Sequence, residues 1–166
     1  MEYKYTICFI RNNDQILMLN RDCAPTQGLW NGVGGKMKEN ETPLQCVLRE
    51  VKEEASIDIS TASIIYKGTV SWEVDNKYSG GMHAFLVEIP DVLVFQTPRR
   101  VSEGILDWKK ITWLLDEQNY GVGEMIPHFL SNMLNNPLCL DHTCVLVKKR
   151  LKRYEFVEAA NMYPLQ

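Results

Sequence analysis

The chain has little of what would mark several large classes of protein. Its five cysteines, Cys8, Cys23, Cys46, Cys139 and Cys144, are odd in number and show no C-x-x-C spacing, so neither a disulfide framework nor a zinc site is indicated. No apolar run approaches the roughly 20 residues that span a bilayer, and the opening MEYKYTICFI lacks a basic start followed by a clean secretory core. A membrane partner is therefore not expected, and the expected location is the cytoplasm. The formal net charge is -3, whereas a protein that binds duplex nucleic acid carries a strongly basic surface. Low-complexity tracts, internal repeats and a composition break are also missing. With 45% hydrophobic residues over 166 positions, residues 1–166 are expected to form a single domain with one sizeable core.

What the chain does have is a concentration of negative charge on one helix. In GKMKENETPLQCVLREVKEEASI, Gly35 to Ile57, the carboxylates of Glu50, Glu53 and Glu54 stand at i, i+3 and i+4 and share a helical face. Like charges at that spacing oppose helix formation, so a cation is implied. Mg²⁺ prefers carboxylate oxygens and keeps waters for substrate phosphates. The ends of the helix are readable: Thr42 as cap, Pro43 at the first helical position, and Gln45 close enough to assist. Leu44, Val47, Leu48 and Val51 supply an apolar stripe, and Arg49 precedes Glu53 by four residues and can pair with it. Just upstream, GLWNGVGGK, Gly28 to Lys36, places four glycines in nine residues, a loop able to bring backbone close to phosphates.

The order Gly35, Glu41, Arg49-Glu50, Val51, Glu53-Glu54, Ile57 closely resembles the signature of the Nudix hydrolases, which cleave nucleoside diphosphates linked to a further group. Eight of nine defining positions agree; the exception is Ser56, where the family has Gly, a C-cap change that removes no ligand. The resemblance implies an α+β fold, an α/β/α sandwich with a central mixed sheet. It also implies a Mg²⁺-dependent hydrolase, with Mn²⁺ as a substitute, acting on nucleoside triphosphates by in-line attack of water. On this reading Glu50, Glu53 and Glu54 are metal ligands together with the Gly34 carbonyl. Lys36 meets a phosphate, and Gly35 and Glu41 support the site. Arg49 and Glu50 belong to the catalytic set. The general base is Glu53, with Glu50 and Glu103 as rivals. Glu103, five residues before Trp108, completes the metal site by analogy with the sanitising branch; Glu88 and Glu117 are the fallbacks.

Trp30-Asn31-Gly32-Val33-Gly34-Gly35-Lys36 is similar to a loop of the MutT-like 8-oxo-dGTP diphosphatases, in which the Asn side chain bonds the base. A turn role for Asn31 is the plain alternative. Those enzymes carry a Trp and an Asp pair before the last helix, where this chain has only Tyr120 followed by Gly121, Val122 and Gly123; Tyr120 could still stack on a base. Two further readings stay open: a broader hydrolase of ordinary nucleotides or nucleotide sugars, and a non-catalytic nucleotide sensor. The residues leave the oligomeric state undefined.

Elsewhere, strands are expected over residues 5–10, 15–20, 64–74, 82–89 and 107–113, with a hairpin loop over 75–81. A packing helix is expected over 123–134 and a last hairpin from 143–147 and 154–157. His83, His128 and His142 have no spacing suited to a metal triad and read as structural. The basic run from Lys148 to Arg153 reads as a solvated edge strand.

Overall fold

The computed structural model of the protein describes residues 2–90 and 96–160. Its strands are β1 (Tyr5–Asn12), β2 (Gln15–Arg21), β3 (Trp30–Asn31), β4 (Ser63–Val74), β5 (Tyr78–Glu88), β6 (Arg99–Val101), β7 (Gly104–Lys110), β8 (Leu140–Val147) and β9 (Arg150–Glu158). The helices are α1 (Pro43–Ala55), α2 (Ile111–Leu114) and α3 (Ile126–Asn135). Among the described residues the strands join in one sheet of order β6-β7-β2-β1-β5-β4-β8-β9, with β3 added on β2. The sheet is mixed: β1 runs parallel to β5 and β4 to β8, while the remaining pairs are antiparallel.

Alternation along β1 and β2 builds a core on each face of the sheet. Ile7, Phe9, Ile16 and Met18 pack with Ile126, Phe129, Leu130 and Met133 of α3. Their neighbours Cys8, Ile10, Leu17 and Leu19 face the other way, against Val47, Val51 and Ala55 of α1. Because successive side chains of a strand point to opposite faces, these nearly unbroken apolar runs indicate a sheet covered on both sides. The result is the α+β sandwich expected from the sequence.

Helix α1 begins with a reciprocal capping box: the Gln45 N–H donates to Thr42 Oγ1 at 3.2 Å, and the Thr42 N–H donates to Gln45 Oε1 at 2.9 Å. It ends at Ser56, held in the left-handed region at φ 56°, whose N–H donates to the Lys52 carbonyl. That conformation explains the family's Gly, and a Ser here carries a cost of about 1 kcal/mol.

Several boundaries differ from the sequence reading. The strand expected over residues 107–113 begins at Gly104 and ends at Lys110, because Ile111 to Leu114 turn into α2. The loop expected over 75–81 shrinks to Asp75-Asn76-Lys77, with Asp75 and Asn76 at positive φ, and Tyr78 to Gly81 are strand. Within the basic run, Lys148 and Lys149 form the β8–β9 turn at positive φ. Asp75 Oδ1 accepts from the Lys148 N–H at 2.7 Å, which offsets the strain of Lys in that conformation. The strand β9 does lie at the sheet edge, as the charge of the run suggested. Among the described residues no helix is long and apolar enough to cross a membrane.

Candidate functional site

The acidic face of α1 meets the glycine loop where β1 begins. Backbone bridges Cys8 to Val33 and Tyr5 to Lys36 lay the loop along β1, and the Thr6 N–H donates to the Gly35 carbonyl at 2.8 Å. The approach is so close that a Cβ on Gly34 would lie 2.2 Å from the Thr6 carbonyl oxygen, and one on Gly35 would lie 2.5 Å from Glu50 Cδ. Gly34 then donates its N–H to Glu54 Oε2 at 3.0 Å, fixing that carboxylate. Only residues without a side chain let backbone and carboxylates share this space.

Arg49 organises the outer half of the cluster. Its Nε and Nη2 donate to the two oxygens of Glu41 at 2.7 and 2.8 Å, and Nη2 also reaches the Lys36 carbonyl at 3.2 Å. Nη1 donates to Glu50 Oε1, and to Glu53 Oε2 at 3.1 Å. This bidentate grip holds the Glu41 carboxyl down at about 2, well below the ordinary carboxylate range.

Beside it opens a cleft of about 640 Å³. Glu50, Glu54 and Glu103 line it, with Lys36, Arg21 and Asn31, and Gly34 and Gly35 in its wall. Burial pushes the Glu54 carboxyl up to about 7, and the neighbouring Glu50 and Glu103 carboxylates push the same way against the Gly34 hydrogen bond and Arg21. A cation beside a carboxyl so placed would stabilise its charged form. The candidate donors are carboxylate oxygens without a thiolate or imidazole, which suits Mg²⁺ rather than Zn²⁺. Among the described residues no three such side chains stand grouped as a metal cage; Glu50 Oε1 accepts from Arg49 and Glu54 Oε2 from the Gly34 N–H.

Most of the sequence-derived candidates converge. Gly34, Gly35, Lys36, Glu50, Glu54, Glu103 and Asn31 share the cleft. Glu41 and Arg49 stand behind it as support. Glu53 does not line it: its side chain is 56% exposed, against 14% for Glu50, and it pairs with Arg49 and, at 4.0 Å, with Lys38. Tyr120 lies elsewhere, 70% exposed on a second pocket with His128, Arg150 and Tyr154. Of the fallback acids, Glu88 pairs with Arg11 and Glu117 faces the Tyr120 pocket.

Two features of the cleft are absent from the motif. Arg21, at the end of β2, reaches Glu103 at 3.7 Å and keeps a buried Nε without a hydrogen-bond partner. A cation at the last position of a strand that runs into a glycine-rich loop was the available signal. Tyr5, Trp72 and Met82 form an apolar wall of the same cleft, with the Tyr5 and Trp72 rings 6.2 Å apart. These three come from β1, β4 and β5, and only the strand order brings them together.

The family model described as the NUDIX domain matches residues 3–128. The chain is 26% identical over 132 residues to the uncharacterized Nudix hydrolase YvcI of Bacillus subtilis, covering 79% of this chain and 78% of that one. It is 45% identical over 38 residues to an 8-oxo-dGTP diphosphatase of Proteus vulgaris, a match that covers 23% of this chain and 34% of that protein. A crystal structure of a MutT protein from Bacillus halodurans shares the fold, with a TM-score of 0.72 at 22% identity, covering 92% of this chain and 95% of that one.

Proposed function

This chain belongs to the Nudix hydrolase family, and on that premise we propose that it is a Mg²⁺-dependent nucleoside triphosphate pyrophosphohydrolase that removes oxidised purine nucleotides, 8-oxo-dGTP to 8-oxo-dGMP and pyrophosphate. The observation that carries the reading is the convergence of Glu50, Glu54 and Glu103 in one cleft that also presents Lys36 and Arg21. Acids alone would repel a triphosphate. Acids that await a divalent ion, flanked by two cationic side chains, suit one.

Glu50, Glu54 and Glu103 would hold the ion, with the Gly34 carbonyl as a further donor. Mg²⁺, when bound, neutralises phosphate charge and lowers the pKa of a coordinated water. Lys36 and Arg21 orient the phosphates. Glu50 takes the proton of the attacking water; its place in the cleft favours it over Glu53, with Glu103 as the rival. Arg49 fixes the Glu50 rotamer, and Glu41 fixes Arg49. The leaving pyrophosphate carries away the charge that develops at the bridging oxygen.

The substrate reading rests on Asn31 and on the apolar wall. The Asn31 Nδ2 donates one N–H to the Leu29 carbonyl at 3.1 Å, which leaves the second N–H and Oδ1 as donor and acceptor for a base edge. Tyr5 and Trp72 offer flat surfaces for a planar group.

Pyrophosphate release from a panel of nucleotides with Mg²⁺ tests this function. The expected result is highest kcat/KM for 8-oxo-dGTP. Preference for ordinary nucleotides or nucleotide sugars would replace the sanitising role by a broader hydrolase. Tight nucleotide binding with no turnover at all would make the chain a sensor.

A further inference from the structure

The strand β9 ends the sheet on the side away from β6, and its nine residues RLKRYEFVE have β8 on one side and no strand on the other among the described residues. An edge of this length presents unpaired backbone groups, and the ways proteins blunt such edges include scattered lysines and prolines. Here the charges are sorted instead of scattered. The first half carries Arg150, Lys152 and Arg153 and the second half Glu155 and Glu158. Apolar surface accompanies them, with Phe156 43% and Val157 64% exposed.

Backbone direction selects which residues could pair outward. The Ala159 N–H donates to the Cys139 carbonyl at 3.0 Å, so by the alternation of an antiparallel ladder residues 157, 155 and 153 turn their backbone groups toward β8. Tyr154, Phe156 and Glu158 turn theirs outward.

From this we infer that β9 pairs antiparallel with β9 of a second copy of this chain, with the two-fold axis at Tyr154. Axes at Arg153, Tyr154, Glu155 and Phe156 all set outward-facing residues against one another; the axis at Phe156 sets Glu155 against Val157 and Tyr154 against Glu158, with no opposite charges facing. With the axis at Arg153 the two arginines oppose each other, and with the axis at Glu155 the two glutamates do; like charges directly opposite are destabilising. The register centred on Tyr154 sets Arg153 against Glu155 twice by symmetry; beyond them the bulge that leaves Lys152 without a partner on β8 interrupts the regular ladder. A parallel arrangement would put like charges side by side along the strand. Neither Arg153 nor Glu155 has an ion-pair partner among the described residues, so both are available. Arg150 already reaches Glu124 at 3.4 Å, which makes Arg153–Glu155 the pair that discriminates. The interface is isologous and closes on itself as a dimer.

Sedimentation velocity of the full chain tests the pairing. Wild type is expected to sediment as a dimer at micromolar concentration. Arg153→Glu and Glu155→Arg each turn two attractive pairs into two repulsive ones and should weaken dimerisation by roughly tenfold or more. The double swap Arg153→Glu/Glu155→Arg restores opposite charges in this register alone and should recover the dimer. Circular dichroism confirms that each variant is folded. A monomeric wild type, single variants that dimerise as well as wild type, or a folded double swap that stays monomeric would each overturn the proposal.

Discussion

The guanidinium of Arg49 grips both oxygens of Glu41, eight residues earlier in the chain, at 2.7 and 2.8 Å, while its remaining nitrogen reaches Glu50 and Glu53. One cation thus sets the position of three carboxylates. Lys cannot reproduce the fork, because its ammonium is a point donor on a flexible stem.

Arg49→Lys should therefore cost about 1–3 kcal/mol of stability through lost charge-assisted hydrogen bonds. Activity should fall as well, since Glu50 loses its anchor. Thermal melts and kcat of the same preparation check both. Glu41→Gln should lower the melting temperature at pH 7 and much less near pH 2. The sign follows from a native carboxyl held at about 2 against an ordinary value of 4.5: its contribution is complete above 4.5 and is lost as pH falls toward 2.

Exposure separates the two candidate bases. Glu50 lines the cleft and Glu53 does not, so Glu50→Gln should reduce kcat by about 10²-fold or more with folding intact, a typical scale for loss of a general base. Glu53→Gln should cost less. Equal losses would return Glu53 to the role that its place in the motif suggested.

His142 gives a test of stability rather than chemistry. It is 1% exposed, its Nδ1 lies 2.9 Å from the Tyr154 hydroxyl, and burial pushes its pKa down to about 4. Because the ordinary value is 6.5, the unfolded chain takes up a proton first as pH falls. The contribution of His142 is complete above pH 6.5 and is lost progressively toward pH 4. Glu54 acts oppositely in the same range, since its carboxyl is raised, so the measurement is the difference between wild type and His142→Gln. Wild type should lose more melting temperature between pH 7 and 4.5 than the variant does, at about 2–4 °C per kcal/mol.

The parts of the fold and site that were legible in the sequence are those carried by local spacing. The capping box of α1, the i, i+3, i+4 glutamates and the glycine run each act over a few residues, and α1 appears with the boundaries that Thr42 and Ser56 imply. Less legible were features set by strand order. The two-residue strand β3 exists because Trp30 and Asn31 meet Asn20 and Leu19, and no two-residue pattern announces that. Helix α2 follows β7 directly, with the Ile111 N–H donating to the Asp14 carbonyl across the neighbouring hairpin. Tyr120 was placed by its position before α3, but its side chain points to the Arg150 side, where the guanidinium lies 5.6 Å from the ring.

The specificity argument turns on Asn31. With one N–H of Nδ2 donated to the Leu29 carbonyl, the second N–H and Oδ1 are left, a donor and an acceptor for a purine edge. Asn31→Ala should then cost about 1–3 kcal/mol in kcat/KM for the preferred purine, because a base donor or acceptor is left unpaired. Pyrimidine substrates should barely change. The comparison is kcat/KM for 8-oxo-dGTP, dGTP and dCTP in both proteins. An equal loss on all three would reduce Asn31 to a turn residue holding Leu29, and a wild-type preference for dCTP would remove the oxidised-purine assignment while leaving the hydrolase in place.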